Sequence, residues 1–154
     1  MEFYNESDLS KLSIFQFSKE LIDSKSVVNL ESLVENDERF IFYNADVFRQ
    51  GVCQLFAYAL NQKFGYMVYE IKVAGAFHIF CKTLDNQYVD VRGMTPSFSE
   101  FICGLELPHI DNDTSVSYSF SDGDFNGDYH DIALIFANAL IEHDLRRYKA
   151  YDCN

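Results

Sequence analysis

The stretch 51–65 constrains the fold most. Val52, Leu55, Phe56, Ala59 and Leu60 recur at steps of three and four, which gives an α-helix one apolar stripe. Gly65 follows directly and can take the left-handed conformation that ends a helix. Then the period changes. Residues 66–73 are rich in aromatic and β-branched side chains, and a second such run, 77–83, follows Ala74-Gly75-Ala76. A turn at Leu84-Asp85-Asn86 leads to a third run, 87–91. A central helix feeding an antiparallel sheet is the expected core.

The remaining segments extend this order. Leu9, Leu12, Phe15, Leu21 and Ile22 lie near helical spacing within 7–24, and Asn29 can N-cap a short helix over 29–34. Residues 38–50 read as loop. After Gly93 and Pro96 a short helix is expected over 98–103, a strand over 115–120 and a loop over 121–128. A second strong helix is expected over 129–143, with Ile132, Ile135, Phe136, Ala139 and Leu140 on one face and Asp128 as its N-cap. The fold class is α+β, with extra helices at both ends. Only Pro96 and Pro108 are present, with no linker or repeat, so residues 1–154 read as a single domain. The 15 Phe and 10 Tyr supply the material of a packed core.

A net charge of -12 argues against direct binding to nucleic acid or to anionic lipid, whose phosphates such a surface repels. It fits a basic protein partner, or solubility alone. The cysteines Cys53, Cys81, Cys103 and Cys153 form no C-x-x-C pair, which argues against structural zinc, and are too few for a disulfide scaffold. The acidic start lacks the pattern of a signal peptide, and no apolar run reaches the ~20 residues of a membrane span. A reducing cytoplasmic setting is expected.

Cys53, His78 and Asp90 form the candidate chemistry. Cys53 falls in the first turn of the central helix, where unpaired N–H groups and the helix dipole suit a thiolate nucleophile. Gly51 allows a tight turn and leaves room for a substrate carbonyl. The backbone N–H of Cys53 is a candidate oxyanion donor. His78 lies within the second strand run and Asp90 twelve residues later in the third. A three-residue loop 84–86 would pair Phe80 with Asp90 and make His78 and Asp90 diagonal neighbours on one face. A five-residue loop would place them opposite one another, and a two-residue loop on opposite faces. If they meet, Asp90 orients the imidazole and stabilises its charged form.

The run Gly51-Val52-Cys53-Gln54-Leu55-Phe56-Ala57-Tyr58-Ala59-Leu60 resembles the nucleophile helix of papain-like and transglutaminase-like proteins. The run from His78 to Val91 is similar to their hairpin, in which a His strand and an Asp strand flank a short turn. The resemblance covers about residues 50–95 and implies a papain-like or transglutaminase-like core with a Cys53, His78, Asp90 triad. It implies thiol-dependent chemistry on amides or related acyl groups by a protease, amidase, deamidase or acyl transferase, without a cofactor, and a protein as substrate or partner. The Cys-to-His interval is short, the chain has no Trp, and position 47 is Val where relatives carry an oxyanion glutamine. Gln50 or Asn44 is the substitute oxyanion donor, and a narrow substrate suits so small a domain. The alternative is an inactive scaffold of this kind that binds a basic protein through its acidic surface.

Taken singly, Cys53 reads as a small buried hydrophobe, His78 as a hydrogen-bonded core histidine and Asp90 as a turn cap or a partner of Arg92. Asp122, Asp124 and Asn126 match the start of a calcium loop, but its twelfth position is Ala133 instead of Glu. An Asp/Gly-rich turn is the simpler reading there. His109, His130 and His143 are expected to be exposed, and Arg146-Arg147 to mark a solvated helix end.

Overall fold

The computed structural model describes residues 44–150. The expected helices over 7–24 and 29–34, with Asn29, and Cys153 lie outside the described residues. The rest is α+β. A short helix α1, Val47–Gln50, precedes the central helix α2, Cys53–Phe64. Strands β1, Met67–Val73, and β2, Ala76–Lys82, follow, then β3, Tyr88–Asp90, and β4, Gly93–Thr95. Helix α3 spans Phe98–Ile102, β5 Val116–Ser117, α4 His130–His143 and α5 Leu145–Tyr148. The strands form one antiparallel sheet in the order β4-β3-β2-β1-β5.

Helix α2 stops where the glycine permits it. Gly65 has φ 74°, and its N–H bonds to the carbonyl of Asn61. A side chain there would meet no neighbour, so the cost of Gly65→Ala is conformational alone. Urea denaturation should find this variant less stable by about 1 kcal/mol. Strands β1 and β2 join through Ala74 and Gly75, both with positive φ, the two-residue turn that suits the twist of paired strands.

The sheet separates two apolar layers. Val68, Ile79, Cys81 and Val89 face α2 and α4. Ile71, Phe80 and Tyr88 face the other way, toward Phe101 of α3 and Leu105. Period-two alternation produces this split, so neighbouring residues of β2 serve different layers. Behind α2, Phe56 packs on Phe48 and Tyr148 with ring centroids 5.3 and 5.2 Å apart.

Five local expectations are corrected. Residues 47–50 are helical where loop was expected, and Gly93–Thr95 form a strand, β4, that was not expected. Helix α4 begins after Tyr129, with no side-chain cap, instead of after Asp128. Its buried face is Ile132, Ala133, Phe136, Ala137, Leu140 and Ile141, while Ile135 is exposed. The expected strand over 115–120 is reduced to Val116–Ser117. No helix among the described residues is long and apolar enough to cross a membrane.

Candidate active site

Helix α2 and strands β2 and β3 bring Cys53, His78 and Asp90 together. The β2–β3 ladder pairs Cys81 with Val89 and Lys82 with Tyr88, and the Thr83 N–H bonds to the Gln87 carbonyl. This is the register of the three-residue loop, so His78 and Asp90 are diagonal neighbours on one face. His78 Nε2 donates to Asp90 Oδ2 at 2.9 Å, and both side chains are buried. The imidazole stacks on Phe80 and contacts Phe101, whose rings fix its plane.

Beyond Asp90 the chain leaves the ladder. Val91 and Arg92 form a turn, and Asp90 pairs with Gly93 across it. The N–H of Ile79 on β2 therefore points past the end of β3. It donates to Cys53 Sγ at 3.3 Å. The sulfur belongs to the first residue of α2, a helix with no side-chain cap and no acidic residue in its first turn. Cys53 is 5% exposed, enough to line a pocket of about 270 Å³ together with His78, Gly51, Arg49 and the segment 105–107.

Because Asp90 holds Nε2, Nδ1 is the ring nitrogen left for the sulfur. Nδ1 is buried and makes no hydrogen bond. Burial alone would lower the His78 pKa, but the Asp90 hydrogen bond, the adjacent Cys53 sulfur and the charges of both raise it to about 9. Burial would raise that of Asp90, yet the Arg92 guanidinium and His78 hold it well below the usual carboxylate range. Arg92 is itself fully buried. Its Nε and Nη2 reach the Asp90 carboxylate, with the shortest contact 2.7 Å, and its Nη1 and Nη2 donate to the carbonyls of Cys103 and Phe101. Asp90 Oδ1 also accepts the Arg92 N–H, a local Asx turn that fixes the carboxylate.

Tyr148 escaped the sequence reading and Arg147 was read only as part of a solvated helix end, although both steady this turn. The Tyr148 hydroxyl donates to the Val91 carbonyl at 2.6 Å, and Arg147 Nη1 donates to that of Arg92 at 3.1 Å. Of the expected solvated helix end, Glu142, His143 and Arg146 are exposed, whereas Arg147 pairs with Asp144 and Tyr148 beyond it is inaccessible. An aromatic ring at 148 was the available signal. Arg49 was also missed, because nothing in a short loop-like run marks it as a pocket residue.

The other candidates divide. Gly51 lines the pocket, but its φ is -142°, which any residue adopts, and a Cβ there would meet only the Val47 carbonyl, at 3.5 Å. Asn44 is not brought to the pocket; its Oδ1 accepts the Asp46 N–H at the start of α1. The backbone of Gln50 closes α1, and its side chain lies outside the described part. Asp122 and Asp124 lie in a 3₁₀ turn, where Asp124 accepts from the Tyr118 hydroxyl and the Ser121 N–H. Asn126 follows this turn without being drawn into a ligand set. Among the described residues no group of three or more His, Cys, Asp or Glu is placed to hold a metal ion. Cys81 is buried and donates to the Ala57 carbonyl, while Cys103 is exposed. His109 and His143 are exposed, and His130 Nδ1 accepts the Gly127 N–H.

The site combines a thiol at a helix N-terminus, an imidazole with one free nitrogen and a carboxylate anchored from behind, on an α+β frame. Comparison of the chain with protein-family models, with curated proteins and with solved structures gives no match.

Proposed function

We propose that this chain is a minimal papain-like or transglutaminase-like cysteine hydrolase or acyl transferase, in which Cys53 is the nucleophile. The observation that carries the reading is the buried Nδ1 of His78, unpartnered beside Cys53 while Asp90 holds Nε2. A merely structural core histidine would satisfy both nitrogens. With the His78 pKa raised to about 9, the ring holds a proton at neutral pH. In the first step Sγ bonds to the acyl carbon, and the imidazolium gives its proton to the leaving amine as the C–N bond breaks. A thioester remains. Water, or an acceptor amine, then attacks the acyl carbon; His78 takes the attacker's proton and the sulfur leaves. Asp90 orients the ring throughout. No step calls for a metal or an organic cofactor.

The pocket is at the small end of the range for ligand sites, which suits one side chain or one chain end rather than a long peptide cleft. Iodoacetamide labelling of the full chain, mapped by mass spectrometry, tests the reading. At pH 6 Cys53 should react at least about tenfold faster than Cys103, and His78→Ala should remove the advantage. Slow, equal labelling of both would sink it.

A second reading draws on the net charge of -12 and the 5% exposure of Cys53. An inactive scaffold of the same kind would bind a basic protein. Its biological effect would survive Cys53→Ala, whereas that of an enzyme would not.

A further inference from the structure

This inference rests on the thiol chemistry proposed above and concerns what the pocket admits. Its lining includes the apolar side chains of Ala76, Phe77, Leu105 and Leu107. Most ionisable groups around it have partners, and the imidazolium of His78 stands against Asp90 and the Cys53 sulfur. Arg49 Nε meets Asp46 at 2.7 Å, and its Nη1 is spent on the Gly104 carbonyl. Asp90, behind His78, is matched by Arg92. Glu106 is the exception. It lies between Leu105 and Leu107 in the pocket lining, is exposed, and makes no hydrogen bond or ion pair with any described residue. The stretch that contains it, 93–145, carries many carboxylates and no Lys or Arg. A carboxylate without a counter-charge beside an apolar wall selects a ligand with an alkyl stem and a cationic head.

We infer that the pocket takes a substrate carrying a positive charge next to the acyl group that Cys53 attacks, namely a peptide segment bearing lysine or arginine. The alkyl stem lies against Phe77 and Leu107, and Glu106 receives the charge.

Three acetylated chloromethyl ketones serve as probes, with lysine, norleucine or glutamate next to the electrophilic carbon. Norleucine keeps the lysine stem and removes the charge. Alkylation rates at Cys53 and Cys103 are read on the full chain by mass spectrometry, with exposed Cys103 reporting the general surface field. The lysine reagent should modify Cys53 up to about fivefold faster than the norleucine reagent, the size expected for one solvent-exposed charge pair. The glutamate reagent should be slowest. Glu106→Gln should bring the lysine-to-norleucine ratio at Cys53 down toward the ratio at Cys103, and added salt should lower it in the unmodified protein. A ratio at Cys53 no greater than at Cys103, or one that Glu106→Gln leaves in place, overturns the inference while the nucleophile stands. Failure of Cys53 to react with any of the three, while Cys103 does, overturns the nucleophile and the inference together.

Discussion

Asp90→Ala should cost about 3–5 kcal/mol of stability, because it takes from the buried Arg92 guanidinium the carboxylate it holds by several hydrogen bonds. Arg92 is 1% exposed and spends its Nε and Nη2 on that carboxylate. It also holds the carbonyls of Phe101 and Cys103, so the segment that follows α3 and reaches the pocket wall is tied to the same charge. The double variant Asp90→Ala/Arg92→Met removes both charges and keeps an apolar stem in place. It should recover a large part of the loss, on the order of 2 kcal/mol, as buried ion pairs do when replaced together. Urea denaturation of the two single variants and the double gives the coupling. Losses that simply add would mean that Arg92 and Asp90 are not energetically one unit.

The alkaline limb of the stability profile should belong to His78. The folded protein binds its proton up to about pH 9, whereas the unfolded chain releases it near 6.5. Between those values the folded state holds more protons, so stability falls as pH rises. The contribution is fully present below 6.5 and is lost through about 9, with a size of about 3 kcal/mol from the same difference. Asp90 acts in the opposite sense. Its pKa is depressed in the fold, so its contribution is present above the ordinary carboxylate value and is lost as pH falls below it. Thermal unfolding of Cys53→Ser, in which no thiol proton is exchanged against that of the imidazole, should therefore show a plateau from about pH 4 to 6.5 and a decline above it. The groups that face the ring are Cys53 from α2 and Asp90 from β3, with Arg92 behind Asp90. His78→Gln should flatten the alkaline decline. An unchanged decline in that variant would assign it to other groups.

Helix α2 was legible to within a residue, because apolar steps of three and four and a terminal glycine are local signals. The three main strand runs were legible for the same reason, with ends shifted by about one residue. The meeting of His78 and Asp90 was readable only as one of three registers, since a sequence shows the length of a turn-like stretch but not how many of its residues pair. The two-residue β3–β4 turn was missed because its signal is not hydrophobic. It is an Asp side chain capping the N–H two residues on, followed by Gly93 at φ 128°. The face of α4 was read about one residue out of phase. Ile135 looks like core by type, but α4 meets α2 along the two diagonals through Ile132 and Ala133.

The sequence alone determined the element types, their α+β order and the three chemistry-bearing residues at a helix start and on two adjacent strands, because each depends on neighbours within a few positions. Only the tertiary structure decided that Cys53 reaches the gap where β3 leaves β2, that Arg92 and Tyr148 brace the carboxylate and its turn, and that Glu106 stands at the pocket without a partner among the described residues. Those outcomes depend on strand register and on contacts between distant segments, such as Tyr148 with Val91, and no local pattern encodes which distant groups burial will bring together.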